Sequence, residues 1–141
     1  MKYALIGCGR ISTNHIKAAV NNGLEIVAVC DIVPDRMEAL LLKHGLAERD
    51  TILRYSDYQT MLDEHPEIQL VGIATESGPH AKIALDCIDR GIHVIIEKPI
   101  AMSMADADEI ERRAEEKHVK VSACHQNRFN LAVQELIRAV D

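Results

Sequence analysis

The 141-residue sequence predicts an α/β fold: a Rossmann-type doubly wound parallel sheet with helices on both faces. Three observations carry this. Short apolar runs alternate with segments of helical periodicity from end to end. A glycine-rich turn, "GCGRIS", follows the first run directly, and an acid, Asp31, closes the second.

"KYALIG" reads as the first strand, and the segment after it places Ile16, Ala19 and Val20 on one helical face. "LEIVAVCD" is β-branched and continuous, as a strand covered on both sides should be. In "PDRMEALLLKHG", Pro34 suits a helix start and Gly45 its end, with Met37, Leu40 and Leu41 on one side. A short strand around Ile52 to Tyr55 and a helix from about Asp57 to Glu64 follow, ended by Pro66. "IQLVGIAT" is the fourth strand; the next helix runs from about Pro79 to Arg90, with Ile83, Ala84, Cys87 and Ile88 inward and Gly91 as its stop. "IHVIIE" is the fifth strand, Ser103 caps a helix through Lys117, and "VKVSACH" is the sixth strand. From Asn130 to Asp141, Val133, Leu136, Ile137 and Val140 recur at helical spacing, a stripe that either docks on the sheet or leads into further structure.

Composition narrows the function. Apolar residues at 48% and charged residues at 27% suit a folded chain with a real core rather than a disordered one. A net charge of −6 without a Lys/Arg cluster argues against nucleic acid or an anionic membrane as partner. Without a transmembrane-length apolar segment or a signal-type start, the expected location is cytoplasmic. Cys8, Cys30, Cys87 and Cys124 are widely spaced, without a C-x-x-C pair, and read as buried small hydrophobes; no metal and no disulfide is assigned.

In "GCGRIS", Gly7 permits a tight turn, Gly9 lets main-chain amides approach a pyrophosphate, and small Ser12 keeps helix and strand close. Asp31 lies near the distance expected for the acid that accepts bonds from the adenosine ribose hydroxyls; alternatively it caps the helix near Pro34. A carboxylate there repels a 2′-phosphate, which favours NAD over NADP, and Arg36 nearby softens that preference.

Ligands of such sheets bind beyond the carboxyl ends of the strands, and three polar clusters gather there: "ATESGPH", "EKPIAMS" and "HQNRFN". Duller readings compete. Glu97 and Lys98 could form a solvated surface pair, His80 could cap or pack at a helix start, and His125 could simply end a strand. "DADEIERRAEEK" reads as a solvated helix face with pairs such as Asp108 to Arg112.

Taken with the glycine turn, these stretches resemble the amino-terminal domain of the Gfo/Idh/MocA oxidoreductases, which include glucose-fructose oxidoreductase and inositol dehydrogenase. The resemblance covers essentially the whole chain, and its most specific element is the E-K-P after strand five. It implies that Gly7, Gly9, Arg10 and Ile11 line the pyrophosphate turn and that Asp31 meets the ribose. Thr75, Ser77 and His80 would run beside the nicotinamide half; the family usually has proline and asparagine where this chain has Glu76 and Ser77. It further implies that Glu97 contacts the cofactor, that Lys98 is both a cofactor neighbour and the catalytic lysine, that Pro99 follows a cis peptide, and that Gln126 and Arg128 border nicotinamide and substrate. The implied activity is hydride transfer between a sugar or sugar-nucleotide hydroxyl carbon and NAD, with "QNRFN" similar to members that act on UDP-sugars.

Members also carry a second, substrate-binding domain. By that comparison residues 1–125 form the dinucleotide-binding domain, and 126–141 begin a connection to a further domain. The expectation is an NAD-binding part that is incomplete for catalysis by itself and homo-oligomeric in the full-length protein. Two alternatives stand beside it: a free-standing NAD(H)-binding or sensing module, and a methyltransferase that holds S-adenosylmethionine in its glycine loop. The second gives no reason for the E-K-P cluster.

Overall fold

The computed structural model describes residues 1–140. Six parallel strands, β1 (Lys2–Ile6), β2 (Glu25–Cys30), β3 (Leu53–Tyr55), β4 (Leu70–Ile73), β5 (His93–Ile96) and β6 (Val121–Ala123), lie in the order β3-β2-β1-β4-β5-β6. The helices between them are α1 (Ser12–Asn21), α2 (Pro34–Lys43), α3 (Tyr58–Glu64), α4 (His80–Asp89) and α5 (Met104–Glu116). A single 3-10 turn at Gln126–Phe129 leads into α6 (Leu131–Val140). Asp141, the last residue of the expected terminal helix, lies outside the described residues.

Alternation along the strands splits the interior into two layers. Ala4 and Ile6 of β1, with Val71, Ile73, Val94 and Ile96, face Met61 and Leu62 of α3, Ile83 and Cys87 of α4, and Ile110 of α5. Tyr3 and Leu5 of the same strand, with Val29, face Ile16 and Ala19 of α1 and Met37, Leu40 and Leu41 of α2. The two helix sets fall on opposite faces because the chain steps outward from β1 first toward β3 and then, after α3, toward β6.

The helix starts follow local chemistry. Pro34 occupies the first turn of α2, where its missing N–H is no loss. Asp57 caps α3 by accepting from the Thr60 N–H at 2.8 Å. Ser103 caps α5, accepting from the Asp106 N–H at 3.1 Å while its hydroxyl donates to the Asp106 carboxylate at 2.7 Å.

Two expectations are corrected, and one of the two alternatives for the terminal stripe is set aside. Val20 is 53% exposed: the inward stripe of α1 is Ser12, His15, Ile16 and Ala19, and Val20 lies just past its edge. Arg112 pairs with Glu109 and Glu116 rather than with Asp108, since its guanidinium forks between the preceding and following turns. The stripe of α6 does not dock on the sheet: Leu136, Ile137 and Val140 are exposed, and α6 packs chiefly against the 3-10 turn before it. The face of β4–β6 on the α1 side is consequently covered by less helix than the other. Among the described residues, no helix is long and apolar enough to cross a membrane.

Candidate cofactor cleft and active site

The glycine turn leaves the carboxyl end of β1 at the centre of the sheet, where strand order diverges. Gly7 has φ +94°, and a Cβ there would lie 2.5 Å from the carbonyl carbon of Ala74 at the end of β4. Only glycine lets the two strand ends close this tightly. The turn is pinned by the Gly7 N–H donating to the Cys30 carbonyl at 2.8 Å. Gly9 has open space above it, as a main-chain cradle for an anion requires. Ser12 is fully buried, its hydroxyl bonded back to the Gly9 carbonyl, and α1 begins without a side-chain cap, its Ser12 and Asn14 N–H groups donating to the Gly9 and Ile11 carbonyls at 3.1 and 2.9 Å. Arg10 is exposed and Ile11 half-buried at the rim.

Asp31 is buried, and both of its oxygens are held: one accepts from the Cys8 N–H at 2.7 Å, the other from the Val33 N–H at 2.9 Å, with the Arg36 guanidinium 3.8 Å away. It therefore ties the end of β2 to the glycine turn and does not cap α2, whose cap position is Val33. Between Gly7, Gly9, Asp31, Arg36 and Thr75 opens a cleft of about 560 Å³. A glycine floor, a fixed carboxylate and an exposed apolar Ile32 beside it fit the phosphates, ribose and base of a dinucleotide. Burial, reinforced by the Asp31 carboxylate, pushes the neighbouring Cys8 thiol up to about 12, which keeps it a neutral wall of the turn.

Further along the same edge, Thr75 and Ser77 are half-buried and Glu76 is exposed. His80 is 1% exposed, with Nδ1 2.7 Å from the Pro99 carbonyl oxygen and Nε2 3.2 Å from that of Thr75. The ring is turned inward and fastens the loop after β4 to the loop after β5. The Lys98–Pro99 peptide is cis.

Glu97 and Lys98 diverge. The Glu97 carboxylate is buried, its Oε1 3.0 Å from Nε2 of His15 on α1, while Lys98 is exposed. They are not a solvated pair. Lys98 lines a hollow of about 220 Å³ together with His125, Gln126 and Arg128, and Gln126 also borders the slot into which Glu97 looks. The structure thus brings Lys98, Gln126 and Arg128 together, and Glu97 and Gln126, along one strand-end edge shared with the glycine cleft. Cys124 completes the setting: its thiol is pushed up to about 11 by burial and by Glu97 beside it. His15 is the residue that sequence reasoning overlooked. Its signal was present, a polar side chain on the otherwise small and apolar inward stripe of α1.

Comparison with known proteins agrees with this geometry. Residues 1–125 match the Gfo/Idh/MocA family model, described as an oxidoreductase family with an NAD-binding Rossmann fold. Inositol 2-dehydrogenase of Salmonella typhimurium is 32% identical over 122 residues, covering 85% of this chain and 34% of that protein. D-apiose dehydrogenase of Paraburkholderia graminis is 32% identical over 140 residues, covering 99% and 36%. The crystal structure of the WlbA dehydrogenase from Bordetella pertussis, in complex with NADH and UDP-GlcNAcA, superposes with a TM-score of 0.84 at 31% identity, over 99% of this chain and 41% of that one. The chain spans about a third of the length of the curated relatives it matches. A glycine turn locked against the end of β4, a clamped acid at the end of β2 and this match over residues 1–125 place the chain in the Gfo/Idh/MocA oxidoreductase family, as its NAD-binding Rossmann domain.

Proposed function

We propose that the chain is the cofactor-binding part of a dehydrogenase that moves a hydride between a hydroxyl-bearing carbon of a sugar or sugar nucleotide and NAD. The observation that carries this is the shared strand-end edge: the glycine cleft and the exposed Lys98 open on the same side of the sheet. The main chain of Gly7, Gly9, Arg10 and Ile11 would receive the pyrophosphate, and Asp31 the adenosine ribose, in preference to a 2′-phosphate. Thr75, Ser77 and Glu97 would border the nicotinamide half, with Gln126 and Arg128 between it and the substrate.

When bound, NAD supplies the hydride acceptor; the chain supplies position and electrostatics. Lys98, exposed at the mouth of its hollow, would donate a hydrogen bond to the reacting oxygen and stabilise the negative charge that builds as the hydroxyl proton passes to solvent water at that mouth. Glu97, turned the opposite way, leaves that ammonium unpaired by its neighbour and free to meet substrate. The sugar-nucleotide assignment draws on the likeness to a dehydrogenase crystallised with NADH and UDP-GlcNAcA.

The test uses the complete protein with a panel of UDP-sugars and polyols. Lys98→Ala is expected to lower kcat by about 100-fold or more while NADH affinity, read by fluorescence titration, stays within about twofold. A variant with near-normal kcat overturns the role of Lys98. A wild-type protein that binds NADH but oxidises none of the panel overturns the substrate class.

A further inference from the structure

Glu97 lies at the end of β5, 82 residues from the group that holds it. Its side chain and that of His15 are 11% and 6% exposed, so the bond between them is shielded from water. A carboxylate this buried is costly unless its oxygens are met by donors. His15 Nε2 meets Oε1 at 3.0 Å. The Cys124 thiol approaches from β6, the ligating atoms of all three residues lying within 4.8 Å of one another.

The approach of His15 is built into the neighbouring strand. Gly72 of β4 carries no Cβ, and one placed there would come within 3.2 Å of His15 Nδ1 and 2.1 Å of the Tyr3 hydroxyl. The bare strand lets an imidazole rooted on α1 reach toward β5. α1 is the helix that starts at the glycine turn, and Glu97 borders the slot that reaches Gln126. One hydrogen bond therefore joins the phosphate end of the cleft to its redox end.

We propose that His15 is a positioning residue: by donating from Nε2 it fixes the rotamer of Glu97 and so the direction in which this carboxylate meets the nicotinamide half of the cofactor. The inference rests on the placement of NAD proposed above. Its consequence is selective, because only ligands that carry the nicotinamide sense the orientation of Glu97.

The complete protein is titrated with NADH and with ADP-ribose, which lacks the nicotinamide ring. The wild type binds NADH more tightly than ADP-ribose. His15→Leu weakens NADH by about tenfold and leaves ADP-ribose within about twofold. His15→Gln, whose amide nitrogen reaches about as far as Nε2, restores most of the loss. Should His15→Leu fail to melt cooperatively, His15→Asn, polar but too short to reach Glu97, is compared with His15→Gln in the same titrations, and only the longer amide is expected to keep the preference for NADH. Equal weakening of both ligands, an unchanged NADH affinity in His15→Leu, or equal NADH affinity in the Asn and Gln variants overturns the inference and leaves the cofactor reading standing. A wild type that binds neither ligand overturns the cofactor reading itself.

Discussion

A methyl group added at residue 72 would sit 2.1 Å from the Tyr3 hydroxyl, inside a layer where Tyr3 is 2% exposed. Neither the strand nor the buried ring can yield that much without disturbing its neighbours. Gly72→Ala is therefore expected to destabilise by about 1–3 kcal/mol in urea denaturation. Gly78→Ala, at a position with nothing within 4 Å of an added Cβ and no left-handed backbone, serves as the near-neutral control. At this scale, legibility depended on whether a residue's task is local. Gly7, Asp31 and Lys98 stood out because each sits at a fixed place in a turn or at a strand end. His15 did not, because its partner is 82 positions away and only the fold makes them neighbours. His80 lay between these cases: its place at the start of α4 was readable, but the inward turn of its ring depends on the Pro99 carbonyl, 19 residues on.

Elements were legible wherever the chain supplies its own punctuation. Ser103 is such a mark, bonded both ways with Asp106 across the first turn of α5. Ser103→Ala removes an acceptor from a helix start and is expected to cost about 1 kcal/mol, measured as a lower urea midpoint at constant m-value. The fine pairing on α5 was less readable: spacing allows Arg112 either Asp108 or Glu116, and a long guanidinium also reaches Glu109 at 2.8 Å. The apolar stripe of α6 is plain in the sequence, whereas its packing is not, since a stripe says that something should cover it without naming what. Val20 shows the same limit in small: at the margin of a helical face, a one-residue rotation decides between core and solvent.

For the molecule as a whole, alternation of strand and helix was enough to give the doubly wound class. The uneven covering of the two faces was not, because it depends on where the last helix goes. The buried thiols give a global test. Burial pushes Cys8, Cys30 and Cys87 up to about 12, and Cys124 to about 11, from 9.0. The folded chain thus holds these protons more tightly than the unfolded chain. Their contribution to stability is whole below about pH 9 and is lost as pH rises through about 11 to 12. The urea midpoint is expected to fall steeply above about pH 9, and iodoacetamide at about pH 8 to spare Cys8, Cys30 and Cys87 until urea is added.

The strand order also bears on biosynthesis. Of these six strands, β1 is translated before the others and ends up in the middle, flanked by β2 and by β4, and the latter ends at Ile73. Until more than half of these residues have been translated, the central strand has one open edge and the wall that closes against Gly7 does not exist. A nascent chain stalled before that point has no completed nucleotide cradle, however faithfully its first glycines have been made.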